Sequence, residues 1–323
     1  MLKVVEATGD YRECGRAFGL ACKESIAYRL DREVSLAALE KHRAELVEVN
    51  ERCKKWYPEY VEELEGITEG SGADYWRLLL LNTPEIMERE SGCTSIAVSA
   101  EDKLYLVHNE DGGSDERTED CVLLHYTLPT VSFYTFTYAG EIAGGSYSWN
   151  SHHLYFSVNY LKPIELDVTD RVSRNFVARK VIEATSVEDA ISILKNSHDI
   201  CGYHYYLGQG EKLFTIENFH NEVSAREVRG VEAHSNHYLH PQFAGRVAHK
   251  QHTEVRLNRA QELIKEGAEP LQILADRENA PLSICTEPNE ALHTISTIGF
   301  FPKEQKVILY EPESLKKEAT FKL

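Results

Sequence analysis

The sequence predicts an α+β fold in which two β-sheets pack on each other with helices outside, and three observations carry that expectation. Residues before about 92 have helical periodicity. Residues after Cys93 break into short β-rich runs. Those runs come in two groups, with helical segments between and before them. Sheets stack face to face and are covered on their outer faces by helices, so this order implies a layered domain. At 323 residues the chain can bury one large core or two modest ones.

The helical front is read element by element. Asp31 to Lys55 is rich in Ala, Leu, Glu and Arg, all good helix formers. Pro58 suits the first turn of a further helix, on which Tyr60, Leu64 and Ile67 share one face. Gly66, Gly70 and Gly72 are expected to break it, and Asp74 to cap another helix through Leu81. The first 90 residues are thus expected to be almost purely helical.

Strand-like runs follow at Thr94–Val98, Leu104–His108, Val122–Tyr126, Ser132–Tyr138, Ile142–Ser148 and Leu154–Asn159, separated by turn signals such as Glu101-Asp102-Lys103 and Gly144-Gly145. Helical spacing returns at Arg171–Thr185 and from Ser186, with Asp189 placed for a capping box. Strands are expected again at Tyr203–Gly208, Leu213–Glu217 and Glu227–His234. Helices fit Thr253–Glu266 and Pro270–Arg277, and late strands fit Thr294–Phe300 and Lys306–Tyr310. No internal repeat or low-complexity linker is visible.

Composition narrows the function. Hydrophobic residues at 42% and charged residues at 27% are globular proportions. A formal charge of −17 argues against nucleic acid and against anionic membranes, and serves solubility. Met1-Leu-Lys-Val-Val-Glu-Ala is too soon charged for a signal peptide. Apolar runs such as Leu78–Leu81 stay far below the roughly 20 residues that cross a bilayer. The cysteines at 14, 22, 53, 93, 121, 201 and 285 form no close pair, which suits reduced thiols in a cytoplasm better than disulfides or zinc.

One cysteine stands in a reactive setting. Cys93 lies in Ser91-Gly92-Cys93-Thr94-Ser95, where the helical part meets the first strand. Gly92 has no Cβ, so its carbonyl can be left open to the following thiol. An N-to-S acyl shift and hydrolysis would release a cysteine carrying its own α-amine. That amine titrates at roughly 7.7–8.0, well matched to taking the thiol proton near neutral pH. Elsewhere a lone cysteine is a small buried hydrophobe.

Downstream come Val107-His108-Asn109-Glu110-Asp111, Phe156-Ser157-Val158-Asn159-Tyr160, His234-Ser235-Asn236-His237-Tyr238 and Arg256-Leu257-Asn258-Arg259. Upstream stand Tyr11–Gly19 and Tyr57–Gly70, and near the end Ser283-Ile284-Cys285 and Thr294-Ile295-Ser296-Thr297. In order and spacing these segments resemble the isopenicillin N (penicillin) acyltransferase family of cysteine N-terminal-nucleophile hydrolases. More distantly the chain is similar to the choloylglycine hydrolase and penicillin V acylase family.

The resemblance implies a four-layer αββα sandwich, with residues 1–92 a pro-segment and 93–323 the nucleophile-bearing chain. It implies self-cleavage between Gly92 and Cys93, with Cys93 the nucleophile. It implies that Asp111 holds the new α-amine, that Asn159 and Asn236 donate to the oxyanion, and that Arg256 pairs with Asp111 or polarises the site. Without it, Asp111 before Gly112-Gly113 and Asn159 at a strand end read as turn residues, and Arg256 as a surface charge. His108, Asn109, Glu110, Asn150 and His237 are expected to line the site. Glu110 departs from the family's usually apolar or aromatic residue, and Trp149–His153 puts bulkier residues in place of its commoner Asn-x-x-Gly turn. Both departures bear on substrate choice.

The expected reaction is cleavage or transfer of the acyl group of a small linear amide or thioester, with no cofactor and no metal. The two fragments would stay associated. His234, His237 and His240 are three apart, but a strand-to-loop segment does not hold that spacing on one face. Two other readings remain: a papain-like cysteine protease, whose local signatures are absent, and a non-enzymatic binding protein on the same fold.

Overall fold

The computed structural model describes residues 2–87, 92–161, 168–243, 245–246, 251–287 and 292–323. It opens with a strand, β1 (Lys3–Thr8), followed by helices α1 (Tyr11–Ala21), α2 (Lys23–Glu33), α3 (Leu36–Trp56), α4 (Pro58–Ser71) and α5 (Tyr75–Leu81). The expectation of a purely helical front is therefore corrected at β1. It runs parallel to a strand more than a hundred residues later, Lys3 facing Val122 and Thr8 facing Thr127, and no local pattern reports a partner that remote.

Asp10, Ser35 and Asp74 cap α1, α3 and α5 by accepting backbone N–H bonds in the first turn. Gly66 and Gly70 do not break a helix. They lie inside α4, where a Cβ on either would strike the backbone of Arg12 or Arg16 in α1. Gly15 and Gly19 face back from α1 onto Glu63 and Ile67. Four glycines thus let two helices approach backbone to backbone. Only Gly72, at φ 74°, ends the helix as expected.

The remaining strands are β2 (Gly92–Ala100), β3 (Lys103–Gly113), β4 (Cys121–Thr127), β5 (Ser132–Tyr138), β6 (Tyr147–Asn150), β7 (Leu154–Tyr160), β8 (Tyr203–Gln209), β9 (Lys212–Phe219), β10 (Glu222–Glu227), β11 (Gly230–His234), β12 (Leu292–Phe301), β13 (Lys306–Tyr310) and β14 (Lys317–Lys322). Helices α6 (Arg174–Val181), α7 (Val187–Lys195), α8 (Gln251–Lys265) and α9 (Pro270–Leu274) intervene. One sheet runs β1-β4-β5-β6-β7-β8-β9-β10, the other β11-β2-β3-β12-β13-β14.

Alternation along each strand divides the chain into four layers. Val122, Leu124 and Tyr126 of β4 face the core shared with α1 to α7, whereas Cys121 and Leu123 face the core between the sheets. Ile96 and Val107 of the second sheet pack instead beneath Leu257 of α8 and Ile273 of α9. The αββα sandwich expected from the resemblance is what the structure has.

Two strand expectations are corrected and one strand was not foreseen. Ile142–Ser148 shrinks to β6, because Gly140 (φ 92°) and Gly144 (φ 109°) take a left-handed backbone, and a Cβ at Gly144 would meet the backbone at Ala178 and Arg179. Glu227–His234 divides at Gly230 (φ 78°), which sends β10 into one sheet and β11 into the other. The hairpin strand β14 carries too little apolar pattern to have been read. Among the described residues no helix is long and apolar enough to cross a membrane.

Candidate active site

Strands β2 and β3 pair with Cys93 opposite Glu110, Ser95 opposite His108 and Gly92 opposite Asp111. Cross-strand partners share a face, so Cys93, Ser95, His108 and Glu110 project together between the sheets. On β7 the same parity turns Asn159 and Ser157 toward them. Asp111, Thr94 and Asn109 take the opposite face, toward α8 and α9. Cys93 therefore has its side chain in one layer while its backbone is gripped from the next.

The grip is specific. The Cys93 backbone N–H donates to Asn236 Oδ1 at 2.9 Å. The Cys93 carbonyl accepts from Arg256 Nη1 at 2.6 Å, and that guanidinium also reaches Thr94 Oγ1 (2.8 Å), Asn236 Oδ1 (2.6 Å) and Asp111 Oδ2 (3.4 Å). Asp111 Oδ1 accepts from Thr294 Oγ1 at 2.8 Å. A Cβ on Gly92 would stand 3.1 Å from Asp111 Oδ2 and 2.7 Å from a Leu292 methyl. A side chain here would crowd the carboxylate and the leucine, which the glycine avoids.

Between the sheets the Cys93 thiol lies 3.4 Å from Glu110 Oε2. Glu110 also accepts from Tyr138 Oη (2.7 Å) and Ser146 Oγ (2.7 Å), and its Oε2 is 3.3 Å from His108 Nε2. Ser95 Oγ donates to Asn159 Oδ1 at 2.8 Å and lies 2.8 Å from His108 Nδ1. Asn159 Nδ2 is buried without a hydrogen-bond partner among the described residues, a donor held in reserve.

Burial sets the proton balance. It pushes the Cys93 thiol well above its ordinary range, with the neighbouring Glu110 and Asp111 adding repulsion and Arg256 opposing them. The same desolvation raises Asp111 to about 6 against the pull of Arg256 and Thr294. It also lowers Arg256, which Asp111 and Cys93 partly offset. In the continuous chain the thiol is therefore protonated, and attack requires a base beside it. A cleft of about 750 Å³ opens onto Cys93, Glu110 and Asp111 and extends to Arg29, Glu116 and Glu141.

Of the residues singled out from sequence, Gly92, Cys93, His108, Glu110, Asp111, Asn159, Asn236 and Arg256 come together. Arg256 is buried, not a surface charge. Asn236 differs from its expected part. Its oxygen faces Cys93 and Arg256 while its Nδ2 is committed to the Tyr160 carbonyl at 3.2 Å, so it holds the Cys93 nitrogen and does not present a donor to an oxyanion. Three expected lining residues stand elsewhere. Asn109 turns to the helix side and bonds Leu274 O and Thr297. Asn150 pins the β6–β7 turn and the Ile182 and Ala184 carbonyls. His237 sits behind Asn236 against Thr253. Strand parity excludes the first, and turn chemistry claims the second.

His234 pairs through its ring with Glu217, whereas the His240 ring bonds Thr215 and Ser224 and its backbone N–H donates to the same Glu217 carboxylate. Sequence reasoning missed Ser95, Tyr138, Ser146 and Thr294. Ser95 could have been found two residues from Cys93 on the same strand face. The others arrive from strands and a loop whose approach no spacing encodes.

Residues 98–316 match the family described as acyl-coenzyme A:6-aminopenicillanic acid acyl-transferase. The matched span includes Asp111, Asn159, Asn236 and Arg256 and begins downstream of Cys93. The chain is 24% identical over 318 residues to the 40 kDa form of acyl-coenzyme A:6-aminopenicillanic-acid-acyltransferase of Emericella nidulans, covering 91% of this chain and 87% of that protein. It is 28% identical over 165 residues to a beta-alanyl-dopamine/carcinine hydrolase of Drosophila melanogaster. That match covers 45% of this chain and 42% of the relative, so less than half of the relative's length is spanned. Among solved structures, a conjugated bile acid hydrolase of Clostridium perfringens is similar at a TM-score of 0.46 and 11% identity, over 72% of this chain and 92% of that one.

Proposed function

The chain belongs to the acyl-coenzyme A:6-aminopenicillanic acid acyl-transferase family, and from that premise we propose that it is a self-processing cysteine amidohydrolase or acyltransferase whose nucleophile is Cys93. One observation carries the reading. The Cys93 nitrogen, carbonyl and thiol are held by three separate groups, Asn236, Arg256 and Glu110, at a junction where Gly92 leaves room for the Asp111 carboxylate.

Maturation begins when the thiol gives its proton to Glu110 and the sulfur attacks the Gly92 carbonyl carbon. The Gly92–Cys93 C–N bond breaks, the nitrogen takes up a proton, and a thioester forms. Water hydrolyses it, leaving a Gly92 carboxylate and a Cys93 with free thiol and free α-amine. Asn236 already accepts from that nitrogen, and the Asp111 carboxylate lies against Gly92 next to it, which supports a part for both in holding the new amine. Residues 1–92 and 93–323 stay together through the parallel pairing of β1 with β4 and through the shared helical core.

In turnover the Cys93 α-amine takes the thiol proton, and sulfur attacks the substrate carbonyl. The free Nδ2 of Asn159 supports a role in binding the oxyanion, where such a donor contributes roughly 2.7–4 kcal/mol. The α-ammonium protonates the leaving amine, and water or a second amine resolves the thioester. Five carboxylates (Glu33, Glu110, Asp111, Glu116, Glu141) line the described cleft against the guanidiniums of Arg29 and Arg174. Glu33, Glu116 and Glu141 are paired with Arg29 and Arg32, and Asp111 with Arg256. Glu110, with no Arg or Lys against it among the described residues, is therefore the carboxylate that favours a substrate carrying an ammonium group, in keeping with the beta-alanyl-dopamine in the name of the Drosophila relative. The seven free, buried cysteines support a reducing, cytoplasmic setting.

Denaturing mass spectrometry of purified protein tests the proposal. Fragments of residues 1–92 and 93–323 are expected, with one intact chain for Cys93→Ala. A panel of β-alanyl amines, their N-acetylated forms, penicillins and acyl-thioesters then reads the substrate class. An uncut chain with amidase activity would favour the papain-like alternative. A cut chain whose Cys93 resists every acylating probe would favour a binding protein.

A further inference from the structure

The side chains around the sulfur suggest a second property of the same site, one that rests on the self-processing reading. Cys93 Sγ, His108 Nε2 and a Glu110 oxygen all lie within 4.8 Å of one another, and all three residues are buried. Their hydrogen bonds fix which histidine nitrogen is free. Asn159 Oδ1 can only accept, so the Ser95 hydroxyl spends its proton there, and Ser95 Oγ must accept from His108 Nδ1–H. This leaves a lone pair on Nε2, aimed at Glu110 Oε2 only 3.3 Å away. That oxygen already accepts from Ser146 and from the thiol. Two facing lone pairs at this distance need a cation between them, either a shared proton or a metal ion.

Two of the three ligand separations, those to the carboxylate, suit zinc. Bond lengths of about 2.0–2.3 Å to nitrogen, oxygen and sulfur give tetrahedral edges of about 3.4 Å between N and O and about 3.6 Å between S and O. The observed separations are 3.3 Å for Nε2 to Oε2 and 3.4 Å for Sγ to Oε2. The outer contacts are in place as well. Ser95 orients the imidazole, Tyr138 and Ser146 fix the carboxylate, and the Tyr147 ring stands edge-on to His108. Three ligands leave one tetrahedral corner. Self-cleavage supplies a fourth donor, because an α-amine and a thiolate on the same residue close a five-membered chelate ring.

We propose that the matured protein binds one Zn²⁺ through the Cys93 thiolate and α-amine, His108 Nε2 and Glu110, and that zinc so bound occupies the nucleophile and reversibly shuts the enzyme off. Binding releases the one proton that the Cys93 thiol and its own α-amine hold between them. Affinity therefore falls as pH falls.

The test uses protein whose cleavage has been verified by mass spectrometry and whose metal has been stripped. Equilibrium dialysis against ZnCl₂ is expected to give one zinc per molecule. Co²⁺ in its place is expected to give a thiolate-to-cobalt charge-transfer band with tetrahedral d–d intensity. Cleaved His108→Ala should bind zinc at least about tenfold more weakly, and cleaved Glu110→Gln serves if that variant fails to fold. Substrate turnover should fall with zinc occupancy and return on chelation. Cleaved protein that takes up no stoichiometric zinc, cobalt without a thiolate band, or undiminished zinc affinity in His108→Ala overturns the zinc site while leaving the self-processing reading intact. A chain that never cuts refutes both, since the amine ligand would not exist.

Discussion

Replacing Glu110 with glutamine separates maturation from turnover. In the uncut chain burial keeps the thiol protonated, and the carboxylate 3.4 Å away, in direct contact with it, is the base of the proposed maturation. Glutamine keeps an oxygen for Tyr138 or Ser146 but cannot take the proton. Losing a positioned base costs about 10²–10⁴ in rate, or about 2.7–5.4 kcal/mol of barrier. A second effect opposes it. At 3.4 Å a thiolate and a carboxylate repel by about 5 kcal/mol at an effective dielectric of 20, and glutamine removes that repulsion. Before cleavage there is no α-amine to receive the proton, so loss of the base wins and Glu110→Gln should mature at least about a hundredfold more slowly. After cleavage the α-amine is present and the relief of repulsion counts, so slowly accumulated mature variant should lose less than about tenfold in turnover. The measurement is a time course of fragment formation by denaturing mass spectrometry on freshly synthesised chain, followed by single-turnover acylation of the cleaved fraction. Maturation at the wild-type rate, with near-ultraviolet circular dichroism unchanged, would refute the assignment of Glu110 as the base.

Three other outcomes follow from the same geometry. Asn159→Ala, once matured, should lose about 10²–10³ in kcat with little change in KM, because its free Nδ2 is engaged only when charge develops on the substrate oxygen; a change confined to KM would contradict this. Asp111, raised by burial to about 6, binds its proton more tightly in the folded chain than in the unfolded chain. It therefore makes the uncut Cys93→Ala protein lose stability as pH rises from about 4 to about 6, by at most about 3 kcal/mol. Urea unfolding of Cys93→Ala with and without Asp111→Asn should differ in slope over that window and run parallel above it. Gly66→Ala places a methyl against the Arg12 carbonyl, a backbone group that cannot swing aside, and should cost about 1–3 kcal/mol in the same assay, with the matured site otherwise intact.

The sequence by itself determined the layers and the place of the Gly92-Cys93 junction at the start of a strand. Period-two alternation in β3 and β7 already separates the residues that face the other sheet from those that face helices. A glycine before a cysteine at the start of a strand needs no partner to be recognised. Arg256, Asp111 and Asn236 were legible as members of the site only through their order along the chain and the resemblance that order carries.

Tertiary structure decided the rest, because proximity between distant segments is not a local property. Whether Gly66 breaks a helix or lets another helix approach depends on Gly15 and Gly19, some fifty residues earlier. Whether Lys3–Thr8 forms a strand depends on β4. Whether Asn236 donates or accepts depends on which groups reach it first: the Tyr160 carbonyl takes its Nδ2, and the Cys93 nitrogen and Arg256 face its oxygen. The proton economy at the nucleophile has the same origin. Glu110 meets Cys93, His108, Tyr138 and Ser146 only because three strands and a loop bring them together.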